Sequence, residues 1–481
     1  MNLTWKPDKI SKIPAYIQII DYVKSKIESG EWCIGDKIPP QRELAEQFLV
    51  NRSTVVSAIN ELIAGGMLEG RGCKGTVIIN NTWSLLTSRS YGYWNSYIEG
   101  GLHMPNQQMI RDIVRIKHSK DIVRLGTGEL SPALYPKERI SEIIKNALPK
   151  INSLGYEEPK GMLHLRIQVS HYLKGIGVNV SPDCIMIVSG GIQALQLIAM
   201  GILPKDTNIY LEEPSYMFSL NILQSTGMSM VGLNMDNEGL VINELIKSSN
   251  VKGNSMLYTI PTFHNPTGIL MSEQRRKDLM NANQQFRIPI IEDDIYREIW
   301  FDEPPPKPLK SLDNNGDVLY IGSISKTLSS GMRIGWIVGP EQVINRLADI
   351  KMQTDYGASS FSQWIVAECM VSGFYNEYTG EIRAELRKRR DICLECLERY
   401  FKNIATWNVP KGGYYIWLKV EKNIAIKEIF NRALDKGILL KPGNVYQRKD
   451  NKYLRISYSY ANLNELEDSL KKLADVIKVS N

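Results

Sequence analysis

Cysteine and histidine are scarce in this chain, with six cysteines and five histidines among 481 residues. So few scattered cysteines give no disulfide framework, which fits a reducing cytoplasm. Cys393 and Cys396 have redox or metal-ligand spacing, but no second pair and no nearby histidine accompanies them. We therefore predict a structural role for this pair and no metal site. The first residues also lack a basic start followed by an apolar core, so no signal peptide is expected.

A membrane-spanning helix is not expected either. Residues 184–204 contain no charged side chain and are numerous enough to suggest a span. Ser189, Gly190, Gly191 and Gln193 interrupt this stretch. A buried strand, a loop and a helix from Ala194 therefore explain it better than a membrane helix.

The charge balance points only weakly to a partner. The chain has a formal net charge of +6, and its charged residues make up 23% of the total. Residues 1–80 hold ten lysines and arginines against nine acidic residues. This mild excess is compatible with nucleic-acid binding but does not predict it.

A lysine within a serine- and glycine-rich segment is the strongest chemical signal. Lys326 lies between Ser325 and a run that leads to Arg333, and glycines stand at both ends of the segment Gly322–Gly335. A lysine in a weakly solvated pocket can act as an amine nucleophile toward an aldehyde. Serines and an arginine supply hydrogen bonds to a phosphate, and glycines allow a close backbone approach. Alone, the segment could also be a solvated lysine on a loop.

Two upstream segments supply what a protonated pyridine ring requires. Asn265 and Pro266 follow one apolar run, and Asp293 and Tyr296 follow another, Ile288–Ile291. A buried carboxylate favours a charged pyridinium, while an amide and a phenol can hydrogen-bond a phenolic oxygen. Taken singly, Asn265-Pro266 could be a plain turn and Asp293-Asp294 a helix cap.

Together these segments resemble the fold-type I aminotransferases that use pyridoxal 5′-phosphate (PLP), over roughly residues 121–481. The resemblance implies an α/β fold with a mixed, mostly parallel sheet flanked by helices and a smaller C-terminal α+β subdomain. It implies that Lys326 is the catalytic Schiff-base lysine. The implied cofactor-binding residues are Lys326, Asp293, Tyr296, Asn265, Tyr216, Gly191, Ile192, Ser323, Ser325, Arg333 and Tyr156.

The resemblance also assigns roles within this set. Tyr216 would stack on the pyridine face, and the loop at Gly191 would offer backbone N–H groups to the phosphate at a helix N-terminus. Tyr156 would reach the phosphate of a partner subunit, which implies a homodimer. Arg455 would bind the α-carboxylate of an amine ligand bidentately. Phe218, just beyond Tyr216, leaves no visible second arginine for a distal carboxylate, which disfavours ligands with two carboxylates.

The residues that precede the aminotransferase-like region predict a small DNA-binding domain. Apolar residues from Tyr16 to Ile27 recur at helical spacing, a second helix begins near Pro40, and Asn51 is a suitable N-cap for a third, 52–63. A glycine-tipped hairpin follows at Met67–Ile79. This order describes a winged helix-turn-helix, whose third helix enters the major groove. On periodicity alone, a helical cap or an oligomerisation module would also fit.

The N-terminal pattern resembles the DNA-binding domain of the GntR family. In this chain Pro40 stands where a serine cap is usual, and Asn51 replaces the serine before Arg52. Neither change removes the DNA contacts that the resemblance implies. These are Arg42, Arg52, Ser53, Thr54, Lys74 and Gly75.

Over nearly its full length, the chain resembles the MocR subgroup of GntR regulators. We predict a winged helix-turn-helix at 1–80, a linker at 81–120 without sustained periodicity, and an aminotransferase-like domain at 121–481. The implied function is a cytoplasmic transcription regulator that binds double-stranded operator DNA as a homodimer. It would sense PLP or a PLP adduct of an amine or amino acid effector. The alternative is a working aminotransferase with an accessory DNA-binding domain, because Lys326, Asp293 and Arg455 are all present.

Overall fold

The computed structural model describes residues 5–29, 31–72, 75–80, 100–101, 106–119, 121–151, 153, 155–249, 253–447 and 452–479. Lys74 and most of the predicted linker lie outside these ranges. The chain divides into two compact units, Met1–Gly101 and Leu102–Asn481. Across the described ranges, no helix is both long and apolar enough to cross a membrane.

The N-terminal unit has the predicted winged helix-turn-helix order. Its helices are α1 (Ala15–Glu28), α2 (Gln41–Phe48) and α3 (Arg52–Ala64). Its strands are β1 (Lys37–Ile38), β2 (Leu68–Gly70) and β3 (Thr76–Ile78). The hairpin β2–β3 is the expected wing, and β1 adds to it so that the antiparallel order is β1-β3-β2.

Apolar residues at helical spacing hold this unit together. Val23 of α1, Phe48 of α2 and Val55 of α3 are fully buried in one cluster. Burying side chains of this size contributes about 1.5–3 kcal/mol each. The connection between α2 and α3 is tight because Leu49 adopts the left-handed conformation, with φ 53°. The side chain of this residue is 58% exposed.

The large unit is built on a mixed sheet. In the described part of the chain it has eight strands, in the order β5-β12-β11-β10-β9-β6-β7-β8. The strands β6, β7, β9, β10 and β11 are mutually parallel, and β12 runs antiparallel to both of its neighbours. Their bounds are β5 (Ile185–Val188), β6 (Asn208–Glu213), β7 (Ser229–Asp236), β8 (Gly239–Leu240), β9 (Ser255–Thr259), β10 (Ile290–Asp293), β11 (Val318–Ser323) and β12 (Gly335–Val338).

The strands β5 and β12 are apolar because both of their faces are packed: in β5, Ile187 belongs to one core cluster and Met186 to another. All four residues of β5 and all four of β12 are buried. The helices of this part are α4 (Gln108–Ile116), α5 (Lys137–Ala147), α6 (Leu163–Gly175), α7 (Gly191–Gly201), α8 (Ile222–Ser225), α9 (Ile242–Ser249), α10 (Glu273–Phe286), α11 (Glu341–Met352), α12 (Ser360–Val371) and α13 (Phe374–Phe401). Residues 184–204 form β5, a loop and α7, as predicted.

The C-terminal part carries a second, antiparallel sheet. Its strands are β13 (Ala405–Trp407), β14 (Tyr415–Val420), β16 (Lys441–Pro442) and β17 (Tyr453–Ser457), in the order β13-β14-β17-β16. The short strands β4 (Val123–Arg124) and β15 (Ile438–Leu439) pair in parallel beside it. Helices α14 (Ile426–Asp435) and α15 (Leu463–Val479) complete this part. The predicted α/β class with a smaller α+β subdomain is confirmed.

Two local expectations differ from the structure. Residues 108–116 form α4, whose Ile113 packs into the main core of the large unit, although no sustained periodicity was expected there. The run of basic residues at 383–390 on α13 is a pattern that usually predicts a solvated helix face, but Arg389 and Arg390 are buried. Arg389 donates to the carbonyl of Ala461 at 2.7 Å, and Arg390 to that of Pro410 at 3.1 Å. Their charges are compensated by Glu385, 2.8 Å from Arg389, and by Asp391, 2.7 Å from Arg390.

Candidate functional site

The topology brings the predicted segments to one edge of the main sheet. β9, β10 and β11 are parallel neighbours, so their carboxyl ends meet. Asn265 follows β9, Asp293 ends β10 and Ser323 ends β11. In open α/β sheets this edge is where ligands bind.

A cavity of about 320 Å³ lies at this edge. Every residue predicted to contact the cofactor or the α-carboxylate lines it, except Tyr156. These residues are Gly191, Ile192, Tyr216, Asn265, Asp293, Tyr296, Ser323, Ser325, Lys326, Arg333 and Arg455.

Lys326 lies on the loop that leaves β11 and is half-buried. Its ammonium donates to the carbonyl oxygen of Gly128, and its own carbonyl accepts from the Tyr414 hydroxyl. Burial lowers the pKa of this lysine, and the nearby Arg455 lowers it further. A lowered pKa makes the neutral, nucleophilic amine more accessible.

Asp293 is a buried carboxylate with one unused oxygen. Oδ2 accepts a hydrogen bond from the Tyr258 hydroxyl at 2.7 Å. Oδ1 is buried and has no hydrogen-bond partner among the described residues. Burial raises the pKa of Asp293 to about 6. An orphaned acceptor of this kind is suited to a ligand that brings a positively charged N–H.

Asn265 contacts both Arg455 and Tyr296, two residues for which the sequence predicted different roles. Its Oδ1 accepts from the Arg455 Nη1 at 2.8 Å, and its Nδ2 lies 3.4 Å from the Tyr296 hydroxyl. Tyr296 in turn shares a 2.9 Å hydrogen bond with the hydroxyl of Tyr415. The Arg455 guanidinium lies 4.0 Å from the centre of the Tyr415 ring. These contacts fix the amide, the phenol and the guanidinium relative to one another.

The other end of the cavity is suited to an anion. α7 begins at Gly191, so its first backbone N–H groups have no intrahelical acceptor. The Arg333 guanidinium donates to the carbonyl of Ser189, which precedes this helix. At Gly190, whose φ is 89°, a Cβ would lie 2.5 Å from Arg333 Nη2. Ser323 Oγ lies 2.9 Å from Ser325 Oγ.

Tyr156 lies apart from these residues. Its side chain is 87% exposed, and its ring centre is 4.9 Å from that of Tyr356. Within one chain it does not line the cavity. Its predicted role in a partner subunit's site therefore stays a prediction.

The sequence pattern missed several residues that shape the site. Gly126 accepts a hydrogen bond from Arg455 at 2.6 Å, and a Cβ at Gly128 would lie 2.2 Å from the Tyr415 hydroxyl. Lys441 also lines the cavity. These residues come from a loop after β4 and from the second sheet, so nothing near the lysine motif in sequence points to them. The pair of glycines in Gly126-Thr-Gly128 is the one local signal that could have indicated a close backbone approach.

A second candidate site lies on the helix-turn-helix of the N-terminal unit. Arg42, Arg52 and Thr54 border one surface concavity formed by α2, the turn and the start of α3. Arg52 and Ser53 are exposed at the first turn of α3. Asn51 occupies the predicted N-cap position, but its side chain makes no capping hydrogen bond.

The remaining predicted DNA contacts belong to the wing. Gly75 is exposed with φ 90°, and its carbonyl accepts from the Arg71 amide at 2.9 Å, which closes the wing turn. Lys74 lies outside the described residues. Arg42 forms an exposed pair with Glu46 at 3.4 Å, and such a pair contributes little. The Arg42 guanidinium thus stays available to a phosphate.

Comparison with known proteins gives a family for each of the two units. Residues 15–78 match the family of bacterial regulatory proteins called the gntR family. Residues 120–475 match aminotransferase class I and II. Among solved structures, the kynurenine aminotransferase of Pyrococcus horikoshii is 31% identical with a TM-score of 0.73. The similarity covers 82% of this chain and 98% of that one.

Full-length relatives combine both parts. The uncharacterized HTH-type transcriptional regulator YdfD of Bacillus subtilis (strain 168) is 49% identical over 470 residues, 98% of each chain. The HTH-type transcriptional regulator NorG of Staphylococcus aureus (strain N315) is 34% identical over 92% of this chain and 99% of its own. The chain therefore belongs to the GntR-family transcription regulators that carry an aminotransferase-like domain, the MocR subgroup.

Proposed function

We propose that this regulator binds PLP through Lys326 and reports the arrival of an amine ligand to its DNA-binding domain. The observation that carries the proposal is the orphaned Oδ1 of Asp293 in the same cavity as a lysine of lowered pKa. The related kynurenine aminotransferase structure contains PMP. This supports a pyridine cofactor in a cavity of this fold.

The residues present fit the chemical groups of PLP. When bound, PLP supplies an aldehyde that bonds to an amine and a ring that withdraws electrons. Asp293 would hold the proton on the ring nitrogen, and Asn265 and Tyr296 would face the phenolic oxygen. Arg333 and the first N–H groups of α7 would hold the phosphate.

Arg455 is the residue proposed to read the ligand. Its Nη atoms already contact Asn265 and Gly126, while its buried Nε has no partner among the described residues. A guanidinium has five N–H donors, so Arg455 can bind a carboxylate and keep both of its present contacts. We propose that an amino acid effector binds here through its α-carboxylate.

The cofactor assignment is tested by reduction and peptide mapping. Borohydride treatment of the PLP-loaded protein should label the peptide that contains Lys326. Lys326→Ala should lose the label and the visible absorption, whereas Lys388→Ala, at an exposed position on α13, should keep both. Label on another lysine would contradict the assignment.

The sensing proposal is tested by operator titration of apo, PLP-loaded and amine-treated protein. Two ligation states can change DNA affinity only if they favour different conformations. We expect a coupling of about 1–3 kcal/mol, or roughly 5–150-fold in operator affinity. Arg455→Ala should remove the response to an amino acid and leave PLP bound. Equal affinity in all three states would reject sensing.

A second candidate function is a working aminotransferase with an accessory DNA-binding domain. The observation that favours it is that Lys326, Asp293 and Arg455 all line one cavity, since a fold alone does not separate catalysis from sensing. Steady-state assays with panels of amino and keto acids decide between the two. Turnover at ordinary aminotransferase rates without an effect on operator affinity would favour the enzyme.

A further inference from the structure

The cavity contains a second cation that the proposed PLP site does not use. Lys441 lies in β16, directly opposite Arg455 of β17 in an antiparallel pair. Directly opposed residues of such a pair project from the same face of the sheet. Lys441 and Arg455 both line the cavity, so two like charges approach the same space.

Lys441 has no hydrogen-bonded or ion-paired partner in the described part of the chain. No hydrogen bond or ion pair involves its ammonium there, and the recorded contact is the Tyr446 ring at 5.9 Å. Glu129, a carboxylate whose charge acts on Lys441, accepts from Lys117 at 2.5 Å. Burial lowers the pKa of Lys441 to about 7, and the neighbouring cations Arg455, Lys326 and Lys117 contribute to this change, whereas Glu129 opposes it. A second anion in the cavity would therefore stabilise the charged ammonium.

This arrangement is unfavourable without a ligand. Like charges directly opposite each other destabilise a strand pair, and burial without a partner adds a desolvation cost. Gly126 packs closely against the Lys441 backbone, since a Cβ added to Gly126 would lie 2.6 Å from the Lys441 amide nitrogen. The Lys441 side chain therefore leaves the second sheet at a confined position, beside the loop that contains Gly126.

We propose that Lys441 binds a second acidic group of the effector, so that the site selects amino acids with a side-chain carboxylate over neutral ones. The inference rests on the proposed function, in which Arg455 takes the α-carboxylate. A planar guanidinium is suited to that carboxylate and a compact ammonium to a second one. A ligand with both groups removes the Lys441–Arg455 repulsion, which a ligand with a single carboxylate offsets only in part.

The sequence-based argument against such ligands considered a single position. It relied on Phe218 at the place where a second arginine was sought. Phe218 is buried in the apolar cluster beside the main sheet and does not line the cavity. The second cation comes instead from β16, more than two hundred residues later in the chain.

The test uses full-length protein loaded with PLP and pairs of near-isosteric probes. Glutarate is compared with its monoamide, glutaramate, and L-glutamate and L-aspartate with L-glutamine and L-asparagine. Calorimetric titration gives each Kd. We expect the wild-type protein to prefer each acid over its amide about tenfold or more, as for one charge-assisted hydrogen bond.

Substitutions assign the preference to Lys441. Lys441→Met and Lys441→Gln should reduce the acid-to-amide ratio to near one, and Lys441→Arg should keep most of it. Arg455→Ala should weaken the acid and the amide of each pair together. No preference in the wild type, or an unchanged preference in both neutral variants, overturns the inference.

The failure of this inference is distinguishable from failure of the proposed function. Glutarate and glutaramate carry no amine, so their binding does not depend on exchange at Lys326. A Lys441-dependent preference without any effect on operator affinity would reject sensing and keep the second anion site. An operator response to neutral amino acids without acid preference would support sensing and reject the second anion site.

Discussion

At Asp293, a charged carboxylate lowers the stability of the apo protein but would strengthen the binding of PLP. Its pKa of about 6 lies above the ordinary aspartate value because burial penalises the charged form. The folded apo protein therefore binds a proton more tightly than the unfolded chain does. The stability that this group contributes is present below about pH 4 and is lost as the pH rises toward 6.

Replacing Asp293 with asparagine should have opposite effects on the two forms of the protein. The apo variant should be at least as stable as the wild-type apo protein at pH 7, because no unpaired charge is buried. The variant should bind PLP about 1.5–3 kcal/mol more weakly than the wild type does, since a charge-assisted hydrogen bond is lost. Thermal unfolding from pH 4 to 8 and PLP titration measure the two effects.

Two results would contradict this reasoning. One is an apo variant that is markedly less stable than the wild type at pH 7. The other is a wild-type minus variant difference that does not change between pH 4 and 6. Glu212 and Glu292 also have pKa values raised to about 7 by burial, so the difference between the two proteins, and not the absolute slope, is the relevant quantity.

At this scale, the sequence predicted the residues that sit beside a recognisable loop motif. Lys326, Asp293 and Asn265 follow apolar strands, so their positions at a common sheet edge could be inferred. Tyr415 and Lys441 belong to strands of another sheet, and neither carries a local pattern. Their place in the cavity depends on tertiary packing, which a single sequence does not specify.

Among the elements, α3 carries the prediction about DNA. Arg52 is exposed in its first turn, where helix residues of this motif reach base edges. Arg52→Ala should weaken operator binding by about 1–3 kcal/mol and relax preference at one base pair. Gel-shift titrations on a set of single-base operator variants measure both effects.

The control for Arg52 is Arg346→Ala, an exposed arginine on α11 of the large unit that pairs with Asp349. It should leave operator binding unchanged. A uniform loss across all operator variants for Arg52→Ala would identify a phosphate contact instead. Full operator affinity of a chain that lacks residues 1–80 would contradict the domain assignment itself.

The turn between α2 and α3 offers a test of backbone strain. Leu49 is a non-glycine residue with φ 53°, a conformation that costs roughly 1–2 kcal/mol for L-residues. Glycine removes that cost but increases the entropy of the unfolded chain by about 0.4–1 kcal/mol. Leu49→Gly should therefore stabilise the helix pair by a net of about 0.5–1 kcal/mol.

Hydrogen exchange of the α2 and α3 amides in the full-length protein measures this change. Leu49→Ala is the matched control because it also removes the exposed side chain but keeps the strained conformation. It should not slow the exchange. Equal effects of alanine and glycine would show that the side chain, and not the backbone angle, sets the stability of the turn.

The elements themselves were predictable where apolar residues recur over several turns. α1 and α3 follow such patterns closely, as do β5 and α7. α4 was missed because it has only nine residues and lies within a polar stretch. The burial of Arg389 and Arg390 was not predictable because the carbonyls that accept from them, at Ala461 and Pro410, lie in distant segments.

For the whole molecule, the proposed homodimer depends on Tyr156. The ring is exposed in a single chain, and its hydroxyl would donate to the phosphate in a partner subunit. Tyr156→Phe should lower PLP affinity by about 1.5–3 kcal/mol, the contribution of a hydrogen bond to a charged group, while light scattering still finds a dimer. Fluorescence titration with PLP measures the loss.

Tyr356→Phe is the control for Tyr156, because the two rings are neighbours at 4.9 Å. It should not affect PLP affinity. A monomer with full PLP affinity, or equal losses for both tyrosines, would contradict the shared site. A two-fold dimer should also require two operator half-sites, so one half-site should bind weakly.

The orphaned oxygen of Asp293 also has a consequence for protein turnover in the cell. Because the cofactor would bind the folded chain and not the unfolded one, each occupied site would add RT ln(1 + [L]/Kd) to the free energy of unfolding. Proteases degrade the unfolded fraction, and a change of about 1–2 kcal/mol can alter abundance several-fold. Scarcity of the vitamin from which PLP is made should then lower the amount of the regulator itself. Gene expression would respond both to the number of regulator molecules and to the ligand that each one binds.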